Sequence, residues 1–276
     1  MLCIGGLKLE INHIYELLYP IGNGATIPLV GVIGGQNYVI KTFRNVEGNK
    51  VLVNELVCYY IAKQLKLPIP PAVLGIIDKN TIINPNVSAL EDFSDNCFGL
   101  AFCSELLSPV TTVSSSKMLS HSANYKWLLP KLMLFDHLIY NKDRNKGNLL
   151  ISLSKSNNQL YIIDHSHTFN LEAIWDGIGL RSKILNEDFK DTTIMDDNWY
   201  HYSKFKSVLD LDVIVMNETV AYFKQFLSKD FFESIIDKIP EVWENNKEEL
   251  QALFQYLLYR LEHIDFFANI ILSTKY

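Results

Sequence analysis

Asp143, Asn148 and Asp164 are the residues whose types and spacing could do chemistry in this chain. The first two lie in the polar run Asn141-Lys-Asp-Arg-Asn-Lys-Gly-Asn148, and the third follows the apolar run Leu160–Ile163. An alcohol is a poor nucleophile, and a carboxylate that accepts its proton as a bond to phosphorus develops lowers the barrier. A carboxamide oxygen and a second carboxylate oxygen suit a hard cation such as Mg²⁺. One acid for a proton, with an amide and an acid for a metal, is the arrangement that moves a phosphoryl group from ATP. The plainer reading of the same residues is a polar turn, and Asp-x4-Asn alone does not decide between the two.

The flanking elements bear on that choice. Leu128, Leu132, Phe135 and Ile139 fall at helical spacing and predict a helix leading into the polar run, with Pro130 in its first turn or kinking it. Leu149–Leu153 and Leu160–Ile163 predict a hairpin that brings Asp164 back beside Asn148. Upstream, Thr26–Ile33 and Gln36–Phe43 predict two strands joined by the turn Gly34-Gly35. Side chains alternate along a strand, so Lys41 shares a face with Val39 and Phe43. A lysine placed there needs a carboxylate or phosphate, or else lies at a sheet edge with its ammonium in water. Asn49–Leu67 predicts an amphipathic helix with Glu55 near the edge of its apolar face, either aimed at Lys41 or solvated. Pro68, Pro70 and Pro71 stop that helix, Ala72–Ile77 predicts a strand, and Asp78–Asp95 reads as a polar surface excursion.

Composition narrows the class. The 276 residues carry 48% hydrophobic and 20% charged side chains, as an ordinary globular chain does. A net charge of -6 argues against a phosphate-backbone binder. Cys3, Cys58, Cys97 and Cys103 form no CxxC pair, which predicts free thiols in a reducing compartment. The N-terminus lacks the pattern of a signal peptide, and the uncharged window Leu17–Ile40 is too interrupted by proline and glycine for a membrane helix. These features predict a cytoplasmic protein with no membrane partner and no nucleic acid. Asp188–Asp197 reads as a solvated acidic loop. Glu218–Leu227 and Asp230–Ile239 predict helices, with Pro240 starting another. The four-three spacing from Leu250 to Ile271 fits a core-packed terminal helix, with a dimer seam as the alternative to a monomer.

Four blocks together resemble the HipA-like kinases of bacteria, which are distantly similar to eukaryotic protein kinases and phosphoinositide kinases. They are YVIKTF with Lys41, LVNELVCYYIAKQLKLPIPP with Glu55, LIYNKDRNKGNLLI with Asp143 and Asn148, and YIIDHSHTF with Asp164. The resemblance spans Ile21 to Phe169 and implies an α+β, two-lobed protein-kinase-like fold. Residues 1–104 would form a small strand-rich nucleotide-binding lobe and residues 105–276 a mostly helical catalytic lobe. It also implies ATP with Mg²⁺ and a Ser/Thr hydroxyl of a protein as acceptor. Asp143 would be the base, Lys41 the phosphate ligand, Glu55 its orienting partner, and Asn148 and Asp164 the metal ligands. Gly22 and Gly24 would cover the nucleotide, while Ser104–Leu107, with Glu105 and Leu106, would cross between lobes and read the adenine edge. Thr26 is the nearby hydroxyl for self-phosphorylation, and an antitoxin or other regulatory protein is an implied partner. The sequence departs from the kinase pattern at Asn141, where many kinases carry His, and at Asp164-His165-Ser166 in place of Asp-Phe-Gly. A catalytically idle nucleotide-binding module and a small-molecule phosphotransferase are the competing readings.

Overall fold

The computed structural model describes residues 8–22, 25–153, 158–244 and 246–274. A seven-stranded sheet is built from β1 (Ile11–His13), β2 (Glu16–Pro20), β3 (Leu29–Ile33), β4 (Gln36–Lys41), β5 (Ala72–Ile77), β6 (Ile82–Ile83) and β7 (Gly99–Glu105). Its order is β1-β5-β7-β4-β3-β2-β6. The expected hairpin is β3–β4, and its two turn glycines have φ of 57° and 81°. Left-handed backbone at both central positions matches the twist of the flanking strands, and glycine adopts it without a Cβ clash. The strand predicted from Thr26 begins at Leu29, and two further strands, β1 and β2, precede it.

Helix α1 (Lys50–Gln64) departs from the expected one-sided amphipathic pattern. Every residue from Val51 to Ala62 is buried. The helix packs against β7 on one side and against the turn Glu172–Ile174 and helix α9 (Lys229–Ile236) on others, so over residues 51–62 no face meets water. An all-round apolar helix is what such a sandwiched position requires. The core follows from this. One cluster runs from α1 and the inner sheet face through Leu132, Phe135, Phe169 and Trp175 to Leu257 and Ile271. A smaller one around Ile14, Leu17, Ile40 and Cys103 covers the outer sheet face. The Asp78–Asp95 excursion holds β6 and the short helix α2 (Pro85–Ser88), which buries Val87.

After β7 the chain builds a second, three-stranded sheet of order β10-β9-β8, from β8 (Val110–Thr112), β9 (Leu149–Ser152) and β10 (Leu160–Ile162). The predicted hairpin is β9–β10. Helices α3 (Ser116–Ser120) and α4 (Tyr125–Leu138) lie between β8 and β9. Pro130 stands inside α4, beyond the first turn. The remainder is helical: α5 (Gly177–Leu185), α6 (Thr193–Asp197), α7 (Trp199–Val208), α8 (Val213–Phe226), α9 (Lys229–Ile236), α10 (Lys247–Glu262) and α11 (Ile264–Ser273). The terminal seam is broken at His263 into two helices, and Leu253, Leu257, Ile264 and Ile271 are spent on the chain's own core. The helix expected at Pro240 starts instead at Lys247, where Asn246 accepts from the Glu248 and Glu249 amides. Cys58, Cys97 and Cys103 are buried free thiols. Among the described residues no helix is long and apolar enough to cross a membrane.

Candidate functional site

Between the two sheets lies a cavity of about 830 Å³. Lys41, Glu55, Asp143, Asn148 and Asp164 all line it, although they come from β4, α1, the loop after α4 and the segment after β10. Lys41 ends β4, held in register opposite Phe102 of β7. Its ammonium donates to Glu55 Oε1, to Asp164 Oδ1 at 2.7 Å and to Ser166 Oγ at 2.5 Å. All three protons of the buried cation are therefore satisfied. Burial alone would lower the Lys41 pKa, but Asp164 and Glu55 outweigh it and the pKa is raised. For Asp164 burial opposes ionisation and the Lys41 ammonium wins, holding the carboxyl well below its usual range. Glu55 Oε1 also accepts from the His165 amide at 2.9 Å and from Ser166 Oγ at 3.1 Å.

Asp143 stands at the other side of the cavity. Its Oδ1 accepts from Asn145 Nδ2 at 2.7 Å and its Oδ2 from Asn148 Nδ2 at 3.3 Å. Asn148 Nδ2 also donates to the Asp143 carbonyl at 2.7 Å, which turns the amide nitrogen inward and leaves the carbonyl end for a cation. The Asp143 amide donates to Asn141 Oδ1 at 2.9 Å, so Asn141 caps the loop locally. His167 lies with Nδ1 3.9 Å from Asp143 Oδ2 and Nε2 3.7 Å from Glu47 Oε2. Among the described residues no group of three or more His, Cys, Asp or Glu side chains gathers for a metal. Asn148 with Asp164 is nonetheless a donor set that fits Mg²⁺, because that ion keeps several waters and takes phosphate oxygens for the rest. No described residue donates to Asp164 Oδ2, so one carboxylate oxygen is unspent.

A support beneath this loop escaped the sequence reading. Arg144 and Asp136 are fully enclosed, with Nη2 on Oδ1 at 2.7 Å and Nε on Oδ2 at 3.2 Å. Arg144 Nη1 donates to the carbonyls of Asn148 at 2.7 Å and Ile163 at 3.2 Å, which joins the loop to the strand before Asp164. Asp136 further accepts from Asn141 Nδ2 and Tyr202 Oη. Asn198 clamps the loop from the α7 side, accepting from the Arg144 amide and donating to the Asn141 carbonyl, both at 2.8 Å. His201 Nε2 donates to the Asn145 carbonyl at 2.8 Å, and burial pushes its pKa down to about 4. The signal available was an acid inside the apolar run LMLFDHLI, since a buried carboxylate demands a cation. His165 accepts from Arg144 and stays neutral, because burial pushes its pKa well down.

The remaining candidates divide. Gly22 and Thr26 line the cavity, and Gly24 lies outside the described residues. Thr26 is buried, and its carbonyl accepts from Asn45 Nδ2. Glu105 and Leu106 line the cavity, yet their N–H groups are committed to the Pro71 and Asn37 carbonyls at 2.8 and 2.9 Å. Pro71 has no N–H to return, so the Glu105 carbonyl lacks its ladder donor. Leu107 N–H meets no backbone acceptor among the described residues. The expected solvated loop at Asp188–Asp197 does not form: Asp188 is buried, paired with Arg260 at 3.3 Å, and accepts from Tyr256 Oη, while Thr193–Asp197 is helix α6 with Ile194 and Met195 buried. Asp191 accepts from Tyr140 Oη.

Comparisons with known proteins bear on the fold and the family. The Helicobacter pylori proinflammatory kinase CtkA superposes with a TM-score of 0.56 at 12% identity, over 95% of this chain and 100% of that one. HipA of Shewanella oneidensis MR-1, solved with HipB and its operator DNA, gives a TM-score of 0.45 at 12% identity, over 94% of this chain and 68% of that one. No curated protein sequence matches. At such identity the likeness to CtkA is one of fold, and it makes the α+β arrangement described above a kinase fold. A family model described as HipA-like kinase matches residues 14–267, nearly the whole length, and the chain belongs to that family.

Proposed function

We propose that this HipA-like kinase transfers the γ-phosphate of ATP to a Ser or Thr hydroxyl of a protein. The observation that carries the reading is the convergence of Lys41, Glu55 and Asp164 in the same cavity as Asp143 and Asn148. Residues 1–104 and 105–276 act as two lobes, with the nucleotide between them. Within the Ser104–Leu107 crossing, the adenine edge meets the Glu105 carbonyl and the Leu107 N–H, which find no backbone partner among the described residues. Val39, Phe102, Leu150 and Ile163 supply apolar walls that keep water from the base. Lys41 exchanges one of its three acceptors for a phosphate oxygen, while Glu55 keeps the ammonium in place. Asn148 and Asp164 hold Mg²⁺, which neutralises charge on the phosphates when bound. Asp143, fixed by Asn145 and Asn148, takes the proton of the acceptor hydroxyl. Self-phosphorylation at Thr26 would require its turn to open. A regulatory protein partner and a cytoplasmic location are proposed on family membership and composition.

The test is phosphoryl transfer by the purified protein with Mg-ATP, to itself or to proteins of a cell extract. Asp143→Ala should lower turnover by roughly 10²–10⁴-fold, the usual contribution of a general base. Asp164→Ala should also abolish measurable transfer. Undiminished transfer in both variants would overturn the assignment.

A further inference from the structure

The stretch from Asp164 to Trp175 follows a strained path. Asp164, Phe169, Asn170 and Glu172 have φ of 59°, 62°, 67° and 55°, a left-handed conformation unfavourable to any residue with a Cβ. Such strain persists where surrounding contacts over-determine it. Phe169 and Asn170 are held by the Ile139 carbonyl and the Asp188 carboxylate, and the remaining contacts include a set from α1. Asn54 is completely buried and spends both ends of its amide on this stretch. Its Nδ2 donates to the carbonyls of Ser166 at 2.6 Å and Glu172 at 3.0 Å, and its Oδ1 accepts from Trp175 Nε1 at 2.8 Å. One turn earlier on the same helix face, Lys50 donates to the Trp175 carbonyl and lies 4.4 Å over its ring. Lys50 is in turn held by Glu249 of α10 at 2.5 Å. Trp175 itself is wholly buried. The residue after Asn54 is Glu55, the partner of Lys41.

We propose that Asn54 and Trp175 are positioning residues: the indole latched on α1 sets where Glu55 holds Lys41 and ties the Glu172 edge of the cavity to its phosphate side. The inference rests on the kinase reading above. Trp175 does not line the cavity and its indole N–H donates to Asn54, so an effect of that N–H on nucleotide handling travels through Asn54, to α1 and to the Ser166 and Glu172 carbonyls.

Two variants test it. Asn54→Asp keeps the shape and the acceptor for Trp175 but removes both donations and sets a carboxylate against two carbonyls. Trp175→Phe keeps a ring and removes the indole N–H. Amide hydrogen exchange over residues 164–175 in nucleotide-free protein, and KM for ATP with kcat, are measured on both. In Trp175→Phe exchange and KM should each rise about tenfold, the scale of one lost buried hydrogen bond, and in Asn54→Asp, which loses two, both should rise further, with kcat falling less in each. A purely structural role would reduce the active fraction, so a fall in kcat at constant KM would overturn the proposal. Unchanged exchange in Trp175→Phe would overturn it as well. Accelerated exchange beside a wild-type protein that transfers no phosphate would support the latch and sink the kinase reading instead.

Discussion

Two charged clusters serve the same site, one beneath its loop and one lining its cavity, and they are built to opposite ends. Around Arg144 and Asp136 the ion pair is completely enclosed, and the guanidinium bridges two carbonyls as well. Around Lys41 the cation and Glu55 are buried, but the Asp164 side chain keeps 37% of its surface. The first cluster can change partners only by unfolding. The second has a carboxylate oxygen to spare and an ammonium whose three acceptors include a neutral hydroxyl. Enclosure therefore marks the strut that shapes the loop, and partial exposure marks the groups free to meet a ligand.

The sharpest way to break this contrast is Arg144→Met, which leaves Asp136 charged and unpaired in the core. Urea unfolding should show a loss of about 3–5 kcal/mol, the cost of stripping one partner from a buried pair. Lys41→Met is the counterpart on the open side. Glu55 retains the His165 amide and the Ser166 hydroxyl, and Asp164 retains solvent, so the loss should be smaller, about 1–3 kcal/mol. Phosphoryl transfer should nevertheless fall by roughly 10²–10³-fold, as when a preorganised donor to developing charge is removed. If Lys41→Met unfolds the protein more than Arg144→Met does, the division into strut and ligand site is wrong.

A pH titration sharpens the strut side with a smaller effect. Burial pushes the His201 pKa down to about 4 while its ring serves the Asn145 carbonyl. An unfolded histidine titrates near ~6.5, so between these values the unfolded chain binds the extra proton. Stability must then fall as pH drops from about 6.5 towards about 4, by up to ~1.4 kcal/mol per pH unit for this group. His137, pushed down to about 3 by burial, adds a slope of the same sign. His201→Gln can still donate to Asn145 and cannot titrate. Its melting temperature should decline less steeply over that range, and an unchanged decline would remove His201 from the network.

Legibility followed the range of the interactions. The β3–β4 hairpin was readable because Gly34-Gly35 supplies backbone freedom that few other pairs have. Asp143, Asn148 and Asp164 were readable because one short loop and one hairpin bring them together. The one-sided pattern expected for α1 was wrong, because burial on every side depends on Trp175 and α9, residues more than a hundred positions away. Asp188 reads as a solvated acid in the sequence because its partner, Arg260, lies in a distant helix. Asn54 offered no signal at all: an amide in a helix reads as surface until three partners close around it.

What the sequence by itself determined was which side chains could meet at the site and the local elements carrying them. Side-chain type, strand alternation and turn residues are properties of neighbours along the chain, and they placed Lys41 on a strand and Glu55 on a helix. The tertiary structure decided which charges are enclosed and which stay open. It alone joined Arg144 to Asp136, left the Glu105 carbonyl facing a proline, and set α1 against Trp175. Those outcomes depend on desolvation and on partners distant in sequence, and both exist only once the chain has closed on itself.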